Sequence, residues 1–216
     1  MFHFDKSNTF CISLASNPDR WNRMERRFKE LNMDVSRFTA VSDDSELNVD
    51  FAHYLSPFQK YCCQSHINLW RLVVDNQIPY ALILEDDACF DIKWKEKLEL
   101  FSNINDPELD AVFLNGSEPA EPLHTWVMAN EQYLTGGYII TLKGAKSLLD
   151  MFSGFFYSSD WMTSRLQLNR HSYIYYPWLI IQEGKDSTIC SNVEADHQKV
   201  LRCLGEIHYS LENYTL

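Results

Sequence analysis

The chain has 216 residues, a formal net charge of −11, 45% hydrophobic and 23% charged residues, and only 7 Gly and 7 Pro. That length holds one large domain or two small ones, and the composition excludes collagen-like, low-complexity and largely disordered chains. A pI near 5.0 argues against nucleic-acid binding, which rests on clustered Lys and Arg, but not against a nucleotide, whose few phosphates a metal ion or a helix N-terminus can meet.

Phe10-Cys11-Ile12-Ser13-Leu14 is a short apolar run that predicts a buried first strand. Asn17-Pro18 then supplies an N-cap and a first-turn proline. Trp21, Met24, Phe28 and Leu31 follow at helical spacing as one apolar stripe. Arg20, Arg23, Arg26, Arg27 and Lys29 fall mostly off it, which predicts a solvated basic face for most of them. Ser56-Pro57 repeats the start signal, and Pro57 to about Val74 reads as a long helix. Tyr61, Ser65, Leu69 and Val73 share its face, with His66 and Trp70 beside it, and Cys62 and Cys63 read as packing residues rather than ligands. Tyr80-Ala81-Leu82-Ile83-Leu84 is nearly continuous apolar sequence, as in a strand buried on both faces, and runs directly into Glu85-Asp86-Asp87. Further strands are expected at 111–114, 137–141 and around 173–181. Helices are expected over 143–152 and after Ser158-Ser159, with Trp161, Arg165 and Leu168 on one side. This alternation predicts a single α/β domain over 1–216, with a central mixed, mostly parallel sheet flanked by helices.

Six cysteines (Cys11, Cys62, Cys63, Cys89, Cys190, Cys203) are scattered without zinc-ribbon spacing or a disulfide framework. Met1 to Asp5 lacks the basic and apolar regions of a signal peptide, and no apolar stretch approaches the ~18 residues of a membrane span. These features predict a reduced, cytoplasmic protein.

Glu85-Asp86-Asp87 is the sharpest chemical signal. Ligands of open α/β sheets bind at the carboxyl ends of strands, and three adjacent acids there repel one another unless water or a cation compensates. Alternation along an extended chain lets Glu85 and Asp87 converge while Asp86 points away. Hard oxygen donors suit Mg²⁺ or Mn²⁺, and such an ion typically holds a substrate's phosphates; a solvated acidic turn is the competing reading. No G-x-x-x-x-G-K-[ST] or G-x-G-x-x-G phosphate loop is present, which weighs against ATPases and dinucleotide oxidoreductases. Gly136-Gly137 fits either close backbone approach to a ligand or a plain turn. Asp160 fits either a capping carboxylate or a general base.

Several segments in order carry a family resemblance: Ile12-Ser13-Leu14 with Arg20, Arg37-Phe38-Thr39-Ala40-Val41, Ser65-His66 with Leu69-Trp70, and Leu82 through Ala88. They continue with Gly137-Tyr138-Ile139-Ile140 with Gly144-Ala145 and Leu148-Leu149, then Asp160, and Pro177 with Gln182 and Ser187. Over about residues 10 to 190 the chain resembles glycosyltransferase family 25, which includes lipooligosaccharide and collagen galactosyltransferases. The resemblance implies a GT-A-like fold, a UDP-sugar donor, Mn²⁺ (or Mg²⁺) dependence and inversion at the anomeric carbon. It implies that Ser13, Leu14 and Arg20 border the nucleotide, with Asp86 and Gly137 beside it. Glu85 and Asp87 become metal ligands, Asp87 the closest, and Asp160 matches the family's acidic residue. A late histidine often joins the metal in GT-A-like enzymes; His197 is preferred over His208, although an exposed histidine is the plainer reading of each. Ser65 and His66 would brace the carboxylates. The family usually continues Arg-Phe-Thr-Ala-Val with Asp-Gly, whereas Ser42-Asp43-Asp44 follows here, so sugar specificity does not carry over.

The implied activity is transfer of a hexose, galactose or glucose, from a UDP-sugar to a hydroxyl of a lipid-linked or protein-linked glycan, as in lipopolysaccharide or glycoprotein glycan synthesis. Peripheral contact with the inner face of a membrane is part of that expectation. A metal-dependent phosphoester or nucleotide-sugar hydrolase and a non-catalytic UDP-sugar-binding module are the alternatives.

Overall fold

A computed structural model describes residues 2–184 and 193–216, without the side chains of residues 193–196. In chain order its strands and α-helices are β1 (Thr9–Ser13), α1 (Pro18–Glu30), β2 (Ser36–Thr39), α2 (Pro57–Asp75), β3 (Tyr80–Glu85), β4 (Ala88–Phe90), α3 (Trp94–Glu99), β5 (Ala111–Phe113), β6 (Thr125–Met128), β7 (Gly137–Thr141), α4 (Leu142–Met151), α5 (Ser159–Ser164), β8 (Ser172–Tyr176), β9 (Ile180–Gln182) and α6 (Val193–Glu206). Seven strands form one sheet in the order β2-β1-β3-β7-β5-β8-β6, and β4 pairs with β9 in a two-stranded ribbon. β1 is parallel to β2 and β3, and β5 to β8, while β7 is antiparallel to β3 and β5 and β6 to β8. Five strands of the seven therefore point one way, as the expected mixed, mostly parallel sheet requires.

The sheet divides the core in two. Ala81 and Ile83 face a cluster with Ile67, Trp70, Tyr138 and Leu148, whereas Leu82 and Leu84 face Met24, Phe28, Trp94 and Ile139. Burial on both faces explains why β3 reads as continuous apolar sequence rather than an alternating one. Local signals start the helices as expected: the Asn17 side chain accepts from Arg20 N, and Ser56 and Gln59 form a capping box around the first-turn Pro57.

Several expectations need correction. The apolar run around 173–181 is two strands in two sheets, β8 and β9, with Pro177, which has no N–H for a ladder, between them. The basic face of α1 is not uniformly solvated: Arg20 and Arg27 are buried. Leu168 is 71% exposed, because the helix tightens to a 3₁₀ turn over Arg165–Asn169, which breaks the 3.6-residue stripe. β2, β4, β6, α3 and α6 were not anticipated. Among the described residues no helix is long and apolar enough to cross a membrane. Ser187 and Cys190 lie outside the described residues.

Candidate active site

Adjacent parallel strands β1 and β3 end side by side, with Ile12 opposite Glu85. Their carboxyl ends, the first turn of α1, the middle of α2, the entry to β7 and the end of β9 surround the acids. Glu85 Oε1 accepts from Thr135 Oγ1 at 2.9 Å and lies 3.2 Å from His66 Nε2. Asp86 Oδ1 meets Arg20 Nη2 at 2.6 Å, and the same nitrogen is 3.2 Å from Asp87 Oδ2. Gln182 Nε2 sits 3.4 Å from Glu85 Oε2 and 3.5 Å from Asp87 Oδ1. One amide thus lies near both Glu85 and Asp87, while Arg20 bridges Asp86 and Asp87 and Asp86 also meets Ser13.

A buried relay fixes Glu85. Trp70 Nε1–H donates to Tyr138 Oη at 2.9 Å, and His66 Nδ1 is 2.9 Å from the same oxygen. The tautomer that satisfies every atom has the Tyr138 hydroxyl donating to Nδ1 and His66 Nε2–H donating to Glu85. His66 thus contacts Glu85, the contact that bracing the carboxylate needs, whereas Ser65 does not: its Oγ accepts from Val41 N at 2.9 Å and anchors the loop after β2. Tyr138→Phe strands the buried Trp70 donor and is expected to lower stability by about 1–3 kcal/mol, measured by urea unfolding; an unchanged midpoint would show that the hydroxyl holds nothing.

The acids respond unequally to this environment. Burial opposes ionisation of Glu85, but the bonds from His66 and Thr135 hold it below the usual carboxylate range. Burial raises Asp86 against the pull of Arg20. Asp87 is pushed up to about 7 by burial, with Arg20 opposing and the Glu85 and Asp86 charges adding to the rise. Burial of adjacent carboxylates, which Arg20 offsets only in part, is a cost that a hard divalent ion also offsets, and the oxygen donors of Glu85 and Asp87 suit Mg²⁺ or Mn²⁺.

Two adjoining cavities meet at the acids. The first, of about 110 Å³, is lined by Ser13, Leu14, Arg20, Tyr61, Asp86 and Asp87. The second, of about 180 Å³, is lined by Gln59, Tyr133, Ser159, Asp160, His197 and their neighbours. Cys62, Glu85 and Gln182 line both. A larger cavity, about 750 Å³, opens at the amino ends of β1 and β3 beside Thr9 and Tyr80. The carboxyl ends are where open α/β sheets take ligands, so the two smaller cavities form the candidate site.

Asp160 sits in the first turn of α5 and accepts from Trp161 N at 2.8 Å. Burial raises its pKa despite the opposing Ser158 and Trp161 bonds, and the Glu85 charge adds to the rise. Gly137 does not line either cavity: a Cβ there would lie 2.4 Å from Ile180 Cδ1. Its lack of a side chain serves the approach of β9 rather than a ligand, which corrects the expectation for it. Gly136 does the same for Gln182, 2.8 Å from its would-be Cβ. His197 faces the second cavity with its ring against Gly184. Among the described residues, the one trio of His, Cys, Asp or Glu donors lying within 4.8 Å of one another is Cys62, His66 and Glu85. Glu85, Asp87 and His197 are not drawn together so closely, and His208 is exposed and lines neither cavity. Glu183, the next carboxylate beyond Gln182, is held by Arg23 at 3.2 Å and Arg27 at 3.0 Å.

Sequence reasoning missed Thr135 and the cavity-lining role of Cys62. Thr135 carries no motif; Cys63, next to Cys62, borders the second cavity as well, whereas Cys62 borders both.

The family model for glycosyltransferase family 25 (LPS biosynthesis protein) matches residues 6–125. Procollagen galactosyltransferase 1-A of Xenopus laevis is 30% identical over 65% of this chain, and a glycosyltransferase 25 family member of Drosophila melanogaster is 31% identical over 65%. Procollagen galactosyltransferase 2 of Homo sapiens is 30% identical, also over 65%. The matched part spans 28%, 27% and 27% of those relatives, so the chain covers little more than a quarter of their length. A solved structure, that of a glycosyltransferase involved in the glycosylation of the major capsid of PBCV-1, aligns at 9% identity over 89% of this chain and 98% of that one, with a TM-score of 0.41. With the family model spanning more than half of its residues, the chain belongs to glycosyltransferase family 25.

Proposed function

We propose that the protein is a divalent-metal-dependent, inverting glycosyltransferase that moves a hexose, galactose in the first instance, from a UDP-sugar to a hydroxyl of a lipid-linked or protein-linked glycan. The observation that supports this reading is the acid cluster standing between two cavities; in it the nucleotide would take the Ser13–Arg20 side and the acceptor the Asp160 side. Glu85 and Asp87 would hold Mn²⁺ or Mg²⁺, which when bound offsets the charge that builds on a departing diphosphate. His66 and Thr135 orient Glu85. Arg20 supplies a buried positive charge at the nucleotide cavity. Asp160 takes the proton of the acceptor hydroxyl, which attacks the face of the sugar opposite the diphosphate. Inversion needs one such base and no covalent sugar–enzyme intermediate. The names of the collagen-modifying relatives support galactose.

The test is a screen of UDP-sugars in Mn²⁺ with and without glycan acceptors. Acceptor-dependent product with inverted configuration is expected. Free sugar released at the same rate without acceptor would make the protein a hydrolase, and UDP binding without turnover would make it a binding module.

Arg20 and Arg27 separate binding from folding. Arg20→Ala is expected to weaken UDP affinity by about tenfold or more, because a charge-assisted contact contributes about 1.5–3 kcal/mol. Arg27 instead ties α1 to Thr215 O at 2.8 Å and to Glu183, so Arg27→Ala lowers the melting temperature and leaves the affinity of the folded fraction near normal. Equal UDP affinities in calorimetry would remove Arg20 from the site.

A further inference from the structure

We propose that Cys62, His66 and Glu85 form a second cation site, suited to a borderline-soft ion such as Zn²⁺, which competes with the carboxylate site for Glu85. Sulfur, imidazole nitrogen and carboxylate oxygen together make a donor set that zinc takes and Mg²⁺ or Mn²⁺ disfavours. Their donor atoms lie within 4.8 Å of one another. The His66 Nε2 to Glu85 Oε1 separation is 3.2 Å, close to the tetrahedral edge of about 3.3 Å set by zinc bonds of about 2.0–2.1 Å. Sγ would then sit at its own edge, about 3.6 Å from the nitrogen for a Zn–S bond of about 2.3 Å, a move of at most about 1.2 Å from the 4.8 Å limit.

The surroundings supply the outer partners. A zinc-bound Nε2 requires the proton on Nδ1; the Tyr138 hydroxyl then turns its hydrogen away from the ring, and its oxygen, 2.9 Å away, accepts from Nδ1–H on the lone pair not taken by Trp70 Nε1–H. Binding turns the Cys62 thiol into a thiolate and releases its proton to water; the His66 proton moves from one ring nitrogen to the other. His66 is fully buried, while Cys62 and Glu85 border both cavities, so ions enter from the substrate side and the fourth position faces it. Because Glu85 serves both sites, zinc here displaces the harder ion and blocks nucleotide binding.

The experiment uses the reduced full chain, without nucleotide or acceptor, and Co²⁺ as the probe. A thiolate-to-cobalt charge-transfer band that Zn²⁺ abolishes is expected. Cys62→Ser should lose the band and weaken zinc by more than the roughly 10–100-fold typical of losing an outer partner. Cys203→Ser, on α6 and outside both cavities, should keep it. X-ray absorption of the zinc-loaded wild type should show one sulfur among nitrogen and oxygen ligands, a reading that holds even where Cys62→Ser fails to fold. Manganese resonance should show Mn²⁺ released by Zn²⁺. No charge-transfer band, a band that survives Cys62→Ser, a sulfur-free zinc shell, or Mn²⁺ binding indifferent to zinc would each overturn the proposal. The competition with Mn²⁺ rests on the carboxylate site of the proposed function; the cobalt band and the zinc shell do not, so a chain that binds no Mn²⁺ but keeps both would lose that function's metal and retain the zinc site.

Discussion

Asp87→Asn is expected to cut sugar transfer by about 10³-fold while raising the stability of the metal-free protein above pH 7. The loss follows from removing a charged donor whose ion contributes several kcal/mol of charge stabilisation, with about 1.36 kcal/mol per tenfold in rate. The gain follows from linkage. Burial pushes Asp87 up to about 7 in the folded protein, against about 3.9 for a free aspartate, so the folded state holds a proton that the unfolded chain releases. Stability attributable to that proton is full below about pH 4 and is lost as pH rises through 7. The difference corresponds to a cost on the order of 4 kcal/mol at about 1.36 kcal/mol per pKa unit. Asn cannot ionise, and Arg20 keeps its 2.6 Å contact with Asp86. Thermal melts in chelator from pH 4 to 8 should show wild type falling more steeply than Asp87→Asn. Excess Mn²⁺ at pH 8 should stabilise wild type but barely move the variant. Parallel curves would show that Asp87 ionises freely in the fold. Equal UDP affinity of wild type with Mn²⁺ and with chelator would remove the metal from the donor site.

The parts legible in the sequence were those written by strong local physics. β1, β3 and β7 announced themselves because strands buried on both faces need uninterrupted apolar residues, and α1 and α2 because Asn17-Pro18 and Ser56-Pro57 mark helix starts. β2 and β6 escaped because they flank the sheet as partly exposed four-residue strands with mixed burial. β4 escaped because three residues carry no period. The acid cluster and Asp160 were visible by chain position, and the structure brings Glu85 and Asp160 to one cavity. The partners that tune them were not visible. Thr135 and Tyr138 reach Glu85 and His66 across the sheet from 50 and 72 residues away, and no spacing rule links such pairs. The burial of Arg20 and Arg27 was hidden for a related reason: an arginine beside a helix stripe looks solvated until a distant carboxylate claims it.

Asp160→Asn should lower turnover by about 10²–10⁴-fold, the usual contribution of a general base, while UDP affinity barely moves, because the base acts on the acceptor. A carboxylate in the first turn of a helix ordinarily becomes a weaker base. Here α5 has six residues, and burial raises Asp160 above the usual range, with the Glu85 charge helping, despite the Ser158 and Trp161 bonds. That direction suits a base, which must hold the proton it removes. The ionised form does the work, so at saturating Mn²⁺, which would keep Asp87 ionised, kcat/KM of wild type should fall on the acid side as pH drops through the raised pKa, and that limb should be absent in Asp160→Asn. Asn keeps the shape and the acceptor for Trp161 N, and it removes a carboxylate whose ionisation burial disfavours, so unfolding should not become easier. Turnover and stability lost together would make Asp160 a capping residue. Normal turnover with an intact acid limb would place the base elsewhere, and Asp86 would be next, since Glu183 is already held by Arg23 and Arg27.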